Sequence, residues 1–394
     1  MDRSKRQLGT MNQRSIPFYQ HDLGPAEVQA ITQALADPIL TTGETVAAFE
    51  RELASYLGRK HVVAVTSCTA ALQLSLEALG IGPGDEVITT PLTFIATATA
   101  VIQAGATPVF ADVEPETGNL DVEQVAKAIT PRTKAIIPVH LYGQMCDMQE
   151  LRALANQHDV KLIEDAAHCV EGSRAGVRPG DLAETVCFSF YATKNLTCGE
   201  GGAIATNDQE LANRLRPLRL HGMTKNAADR AREGYTHWDM VDFGWKYNMD
   251  NLQAALLRPQ LARLDENWER RQKLADYYRE HLRELDGISG PADLPEVKHA
   301  HHLQTIWVSE ARRDELLQDL QANGIGVTVN YRAIHLLTYF KRRFGFVGGE
   351  FPHAERIGGQ AISLPFYPRM EFADVDQVVQ ALKDALHHGS RQAA

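Results

Sequence analysis

The stretch "HVVAVTSCTAALQLSLEALGIGPGDEVITT" (residues 61–90) alternates short β-branched runs with a longer helical one. Its parts "HVVAVT", "TAALQLSLEALG" and "DEVITT" predict a strand, a helix and a second strand. Three further predicted strands follow, "TPVFADV", "TKAIIPVHL" and "VKLIEDAA", each preceded by a helical stretch. Strands of this kind that alternate with helices are typical of a mainly parallel sheet sandwiched by helices. The sequence therefore predicts an α/β fold.

The chain length of 394 residues exceeds what a single core usually serves, so two domains are expected. The strand–helix rhythm changes near residue 235, and a long helical stretch (251–285) leads into a smaller α+β segment. We predict a disordered leader (1–15), a large domain (16–265) and a small C-terminal α+β domain (266–394). Pro259 lies inside the long helical stretch and should kink or break it.

Composition argues against several classes of protein. A formal net charge of -10 disfavours nucleic acid as the main partner. The sequence has no apolar run of the roughly 18 residues that a membrane span needs, and its first residues lack the apolar core of a signal peptide. The five cysteines are odd in number and contain no CxxC pair, which favours reduced cysteines in the cytoplasm and no metal site.

The segment "VAVTSCTAAL" (62–71) predicts the start of a helix directly after a strand. The first turn of a helix has free N–H groups and the positive end of the helix dipole, so it can bind an anion. Thr69 and Ala70 are therefore candidate phosphate ligands. A plainer interpretation, which the motif alone favours, is that Ser67 and Thr69 only cap the helix.

The segment "KLIEDAAHCVEG" (161–172) places Glu164 and Asp165 at the carboxyl end of a predicted strand. Open α/β sheets bind ligands at this edge, and an acid there can hold a positive charge on a bound heterocycle. A solvated acidic loop or a helix cap is the alternative. His168 follows three residues later, and by itself such a histidine is more often structural than catalytic.

The segment "CFSFYATKNLTCGEGGAIATND" (187–208) places Lys194 between a predicted strand and a glycine-rich turn. A partly desolvated lysine has a lowered pKa, and only the neutral amine attacks a carbonyl to form a Schiff base. Ser189, in the preceding strand, could add a hydroxyl to the same anion site as Thr69. Taken alone, however, Lys194 is an ordinary surface charge.

The order of these motifs is informative, because an anion-binding helix start, a strand-end acid and then a lysine is the layout of fold type I pyridoxal phosphate (PLP) transferases. From about residue 16 to about residue 385 the chain resembles the DegT/DnrJ/StrS family of PLP-dependent nucleotide-sugar aminotransferases. The segments that carry the resemblance are "ILTTGETVAAFERELASYLG", "TSCTAALQLSLEALGIGPGDEVITTPLTFIATATAV", "LIEDAAHCVEG", "SFYATKNLTCGEGGAI", "LRLHGM", "GWKYNMDNLQAAL" and "NYRAIHL".

The resemblance implies three catalytic residues. Lys194 would hold PLP as a Schiff base and then move protons. Asp165 would pair with the pyridinium nitrogen and so keep the ring an electron sink. His168 would contact the region of the cofactor's 3-oxygen.

The family resemblance also implies which residues bind the cofactor. Thr69, Ala70 and Ser189 would hold the phosphate, and Phe94 would stack on the ring. Asn248 would reach the phosphate from the neighbouring subunit. The resemblance therefore implies a homodimer with two shared active sites.

The expected reaction is the transfer of an amino group, with glutamate as donor, to a keto nucleotide sugar. The loop "TKNLTCGEGG" resembles the branch that aminates C4 of a 4-keto-6-deoxy sugar for surface polysaccharides, and amination at C3 is the alternative. PLP-dependent sugar dehydratases carry a histidine in place of Lys194. A catalytically silent regulatory protein of the same fold would need neither Lys194 nor Asp165. A nicotinamide oxidoreductase is disfavoured because the glycines of "LGIGPGDEV" precede a strand.

Two features bear on the substrate. Asp250 and Asn251 follow "YNM" where the family usually has Ser or Thr and then an acid, and this difference lies near the expected substrate mouth. The basic residues that could meet a nucleotide diphosphate are Lys246, Arg219 and Arg332.

Overall fold

A computed structural model describes residues 14–225, 229 and 237–392 of the chain. The predicted leader lies outside the described residues except for Arg14 and Ser15. Within the described part, no helix combines the length and the apolar character needed to cross a membrane.

A seven-stranded sheet forms the centre of the molecule. Its strands are β1 (His61–Val65), β2 (Glu86–Thr89), β3 (Thr107–Phe110), β4 (Thr133–Ile137), β5 (Lys161–Asp165), β7 (Thr185–Ser189) and β8 (Gly202–Thr206). They lie in the order β1-β8-β7-β5-β4-β2-β3. Strands β2, β3, β4, β5 and β7 pair in parallel, and β8 runs antiparallel to both of its neighbours. The predicted α/β fold with a mainly parallel sheet is confirmed.

Helices cover both faces of the sheet because its strands are apolar on both sides. In β1, Val62 and Ala64 pack into one core cluster, and Val63 and Val65 pack into the other. This alternation follows the two-residue period of a strand. The helices of this part are α1 (Pro25–Leu35), α2 (Glu44–Leu57), α3 (Cys68–Ala78), α4 (Ala96–Gln103), α5 (Val122–Ala128), α6 (Met148–His158), α7 (Gln209–Leu218) and α8 (Asn251–Ala262).

The C-terminal part is an α+β assembly with a core cluster of its own. It contains the antiparallel strands β10 (Gln304–Trp307) and β11 (Ala361–Leu364), and β6 (Ser173–Arg174) pairs with β9 (Val297–Lys298) beside it. Ile16 belongs to this cluster, and its N–H donates to Gly324 O at 2.9 Å. The helices are α9 (Leu264–Leu282), α10 (Glu310–Ala322), α11 (Thr338–Phe344), α12 (Pro352–Gln360) and α13 (Phe372–Gln392).

The long helical stretch is divided four residues after the proline expected to break it. Pro259 lies inside α8, which continues to Ala262, and Arg263 separates α8 from α9. A proline removes one main-chain donor but leaves the following turns able to form. Arg263 is held at the break by Glu27, whose carboxylate accepts a hydrogen bond of 2.6 Å from its guanidinium.

Candidate active site

A cavity of about 650 Å³ opens at the carboxyl ends of the parallel strands, the edge at which the sequence predicts ligand binding. The start of α3, the start of α4, the ends of β5 and β7 and the segment 328–331 contribute to its walls. The polar and aromatic residues that line it include Ser67, Cys68, Thr69, Phe94, Thr97, Asp165, His168, Ser189, Lys194, Glu200, His302, Asn330 and Tyr331.

Asp165 ends β5 and is buried at the floor of this cavity. Thr97 Oγ1 donates to its Oδ2 at 2.8 Å, and Ala167 N donates to its Oδ1 at 3.1 Å. Burial raises the pKa of Asp165, while the two donors and the nearby Lys194 favour the carboxylate. Asp165 is thus a fixed acceptor that can pair with a positively charged ring nitrogen.

Lys194 is half-buried at the same cavity, in the loop after β7. Burial lowers the pKa of Lys194 to about 8, although the negative charge of Asp165 acts in the opposite direction. The fraction of neutral amine near physiological pH is therefore larger than for an ordinary lysine, although most of the side chain is still protonated, and the neutral amine is the form that attacks a carbonyl.

His168 contacts the side chains of Tyr331 and His302, neither of which was among the site residues predicted from the sequence. Its Nδ1 accepts from Tyr142 N at 3.2 Å, and its Nε2 lies 3.0 Å from Tyr331 Oη. Its ring is 4.3 Å from that of His302. Tyr331 falls in the segment "NYRAIHL", which carries part of the family resemblance, whereas no pattern around His302 sets it apart.

The start of α3 shows the helix cap of the plainer interpretation, and its role in binding a phosphate stays a prediction. Ser67 is the helix N-cap, and its Oγ accepts from Ala70 N at 3.1 Å, as the plainer interpretation predicts. Thr69 and Ser189 line the cavity near this helix start. Gly202 of β8 allows the close packing, because a Cβ there would lie 2.4 Å from the main-chain carbon of Ser67.

Phe94 and Asn248 occupy different surroundings. Phe94 lines the cavity with 56% of its surface exposed, 6.1 Å from the ring of Tyr331. Asn248 is not among the described residues that line the cavity, and its Nδ2 donates to Thr42 Oγ1 at 2.7 Å. Its role toward a neighbouring subunit stays a prediction.

The three basic candidates differ in accessibility. Arg219 is buried, forms an ion pair with Glu50 and donates to Ala64 O at 2.7 Å, so the structure gives it a packing role. Lys246 Nζ donates to Asn248 Oδ1 at 2.6 Å. Arg332 is exposed and directly follows Tyr331 of the cavity wall.

These residues fit a phosphorylated aromatic aldehyde. Asp165 offers a buried carboxylate to a ring nitrogen, and Lys194 offers an amine of lowered pKa to a carbonyl. Thr69 stands in the first turn of α3, where an anion binds well, and Ser189, the last residue of β7, lines the same cavity.

Comparison with known proteins agrees with this chemistry. The model of the DegT/DnrJ/EryC1/StrS aminotransferase family matches residues 21–383. The chain belongs to this family. It is 43% identical to the spore coat polysaccharide biosynthesis protein SpsC of Bacillus subtilis, over 94% of this chain and 96% of SpsC.

Two solved structures are closely similar to this chain in fold. DesV of S. venezuelae, in complex with a ketimine intermediate, is 39% identical, with a TM-score of 0.87 over 94% of this chain and 98% of DesV. Spr1654 of Streptococcus pneumoniae, described as a sugar aminotransferase and solved in its PMP form, is 31% identical, with a TM-score of 0.89 and the same coverage. The predicted cofactor, PLP, and the predicted class, a PLP-dependent sugar aminotransferase, are confirmed.

Proposed function

We propose that the protein transfers an amino group from glutamate to C4 of a nucleotide-linked 4-keto-6-deoxy sugar. The observation that carries the chemistry is that one cavity holds both the fixed carboxylate of Asp165 and the amine of Lys194, whose pKa is lowered to about 8 by burial. The loop "TKNLTCGEGG", with its resemblance to the C4 branch, supports the position of amination.

In the proposed reaction Asp165 stabilises a positive charge and Lys194 transfers protons. PLP, when bound, supplies an electron sink for the carbon that bears the transferred nitrogen. Asp165 holds the positive charge of the ring nitrogen, with Thr97 and Ala167 fixing its two oxygens. Lys194 Nζ, when free, takes the proton from the donor's α-carbon as a general base and returns a proton as a general acid.

The hydrogen bonds of His168 supply a donor to the substrate. Because Nδ1 accepts from Tyr142 N, a neutral His168 carries its hydrogen on Nε2 and donates it to Tyr331 Oη. The hydrogen of the Tyr331 hydroxyl is then free to point into the cavity, where Tyr331 is a lining residue. Burial lowers the pKa of His168 well below its usual value, which favours this neutral form.

The charge of the cavity supports a homodimer. Among the described residues that line it, Lys194 is the single Lys or Arg, and Asp165 and Glu200 are negative. A cofactor phosphate, a nucleotide diphosphate and the carboxylates of glutamate all need positive partners. We infer that a second copy of the chain supplies some of them, and that Asn248 and the neighbouring Lys246 face the other copy's cavity.

The proposed pathway is the synthesis of an amino sugar for a surface polysaccharide. The relative SpsC, named for spore coat polysaccharide biosynthesis, supports this setting. The five free, buried cysteines are compatible with the reducing cytoplasm, in which we propose that the enzyme acts.

The test uses the PLP-loaded enzyme, ¹⁵N-glutamate and a panel of UDP- and dTDP-linked 4-keto and 3-keto sugars. We expect a product with ¹⁵N on C4, identified by mass spectrometry and NMR. Nitrogen on C3 would contradict the position and leave the class intact. Nitrogen exchange between glutamate and other keto acids, without transfer to any sugar, would contradict the proposed substrate.

A further inference from the structure

Lys194 is connected through two side chains to a buried ion pair behind the cavity. Lys194 Nζ lies 3.3 Å from His302 Nε2, and His302 Nδ1 lies 3.3 Å from Asn195 Oδ1. Asn195 Nδ2 contacts both carboxylate oxygens of Glu171, at 3.2 and 3.3 Å. Glu171 forms an ion pair with Arg271, and both residues are buried. None of these four partners is among the site residues predicted from the sequence.

The orientation of the Asn195 amide follows from its partners. Asn195 Nδ2 also lies 2.9 Å from Ala300 O, and a main-chain carbonyl can only accept a hydrogen bond. The amide nitrogen, which is the donor, must therefore face Ala300 and Glu171. This leaves Oδ1, which is only an acceptor, facing His302 Nδ1.

The orientation of Asn195 in turn determines where His302 carries its hydrogen. Since Oδ1 can only accept, Nδ1 of His302 must be the donor. In a neutral imidazole the other nitrogen then has a free lone pair, and this nitrogen is the one that faces Lys194 Nζ. Burial, reinforced by the charge of Lys194, lowers the pKa of His302 well below its usual value and so favours the neutral ring.

We propose that His302 is the positioning residue of the catalytic lysine: its Nε2 accepts a hydrogen bond from Lys194 Nζ whenever the lysine is not covalently bound, and Asn195 fixes the tautomer that makes this possible. The proposal rests on the proposed function in one respect, namely that Lys194 is the residue that moves the protons. The ring of His302 also lies 4.3 Å from the ring of His168, at an interplanar angle of 36°, and this contact further restricts its position.

The consequence concerns the steps in which Lys194 is free. A four-carbon side chain has many rotamers, and proton transfer needs the amine within hydrogen-bond reach of the reacting carbon. An acceptor fixed on one side of Nζ reduces this freedom and directs the nitrogen lone pair. Loss of His302 should therefore lower kcat with little change in the KM of the sugar.

The first experiment measures the tautomer directly. The full-length enzyme, labelled with ¹⁵N-histidine and loaded with pyridoxamine phosphate so that Lys194 is free, is observed by ¹H–¹⁵N NMR at pH 7.5. The signals of His302 are assigned by their loss in His302→Gln. We expect a neutral ring with its hydrogen on Nδ1, and Asn195→Leu should remove this preference. A hydrogen on Nε2, or an imidazolium, in the unmutated enzyme would overturn the proposal.

The second experiment compares kcat and KM among variants. His302→Leu removes the acceptor and should lower kcat about tenfold or more, with the KM of the sugar changed less than about twofold. His302→Gln keeps an oxygen that can accept from Lys194 and should restore most of the lost rate. The matched control is His301→Gln, because His301 contacts Gln272 at 2.9 Å and is not among the cavity-lining residues. Its kcat should stay within about twofold of the unmutated enzyme.

The outcomes separate this proposal from the proposed function. If His302→Leu keeps the full kcat while Lys194→Ala is inactive, the positioning role is wrong and the catalytic lysine stands. If Lys194→Ala itself turns over, the proposed function fails first. Should His302→Leu fail to fold, the NMR measurement on the unmutated enzyme still tests the tautomer of His302, and the kcat of His302→Gln still tests whether an acceptor at this position is sufficient.

Discussion

Thr97 Oγ1 donates a 2.8 Å hydrogen bond to Asp165 Oδ2, although the two residues are 68 positions apart in the chain. Thr97 lies in the first turn of α4 and Asp165 at the end of β5, so packing of the helix on the sheet brings them together. The contact holds the carboxyl group of Asp165 at one angle before any ligand arrives, which is the preorganisation that a charge-stabilising site needs.

Asp165→Asn should lower kcat by about 100-fold or more, because an amide cannot hold the positive charge of the ring nitrogen. Thr97→Val, which removes the hydroxyl donor to Asp165 Oδ2, should have a smaller effect in the same direction. Steady-state kinetics at saturating substrate measure both. Asp159→Asn is the control, because Asp159 is exposed and its left-handed backbone suits Asn. A near-normal kcat in Asp165→Asn would contradict the role.

Lys194→Ala should lose both turnover and the visible absorbance of the lysine-bound cofactor. Pyridoxal phosphate added to this variant can bind only noncovalently, so dialysis should remove it. Lys161→Ala is the control, since Lys161 is an exposed lysine at the start of β5 and should keep both properties. Transamination that persists in Lys194→Ala would rule out Lys194 as the catalytic lysine.

Lys194 should also make the stability of the cofactor-free protein depend on pH. Burial lowers the pKa of Lys194 to about 8 in the folded chain, whereas a lysine in an unfolded chain titrates near about 10.4. Between these values the unfolded chain binds the extra proton, so stability rises with pH across this window. Below pH 8 both states carry the charge, and the folded state has the full desolvation penalty.

Lys194→Met should therefore increase the free energy of unfolding at pH 7, by on the order of 1–2 kcal/mol. This gain should shrink as the pH rises from about 8 to about 10 and the unmutated side chain loses its proton. Urea unfolding at a series of pH values measures the difference in the free energy of unfolding between Lys194→Met and the unmutated protein. Lys161→Met, at an exposed lysine, is the control. A stability difference that does not change with pH would contradict the lowered pKa of Lys194.

Local patterns predicted the strand ends at which part of the cavity lies, although the functional roles of these residues followed only from the order of the motifs and from the family resemblance. Asp165 and Ser189 are the last residues of β5 and β7, and Lys194 follows in the next loop. The carboxyl ends of parallel strands meet at one edge, so these residues had to lie near each other once the strands were recognised. The alternation of apolar residues also predicted the sheet and its two helical layers.

The remaining contacts depend on tertiary packing, which no short segment of sequence encodes. His302 and Tyr331 come from the C-terminal part of the chain and reach the cavity because that part packs against the sheet edge. Ile16, near the start of the described chain, belongs to the C-terminal core cluster and also forms main-chain hydrogen bonds with Gly324 and Gly326. The domain boundary near residue 265 stays a prediction.

Arg219 and Arg332 offer a contrast between a structural and a binding arginine. Arg219 is paired with Glu50 and donates to Ala64 O in a buried site, so Arg219→Met should lower the free energy of unfolding by about 3 kcal/mol, since it leaves Glu50 without its charge partner. Arg332 is exposed, so Arg332→Met should change stability by no more than about 0.5 kcal/mol.

In substrate binding the order of the two effects should be reversed: Arg332→Met should have the larger effect on the KM of the sugar, and Arg219→Met the smaller. Arg332 directly follows the cavity residue Tyr331, so its loss should raise the KM for a nucleotide sugar severalfold and leave the half-reaction with glutamate unchanged. Arg219→Met, where it folds, should keep the KM of the unmutated enzyme because its guanidinium already has two partners inside the protein. Urea unfolding and sugar-dependent kinetics on both variants measure the contrast. A stable Arg219→Met with a raised KM would reverse the two assignments and place the diphosphate at Arg219.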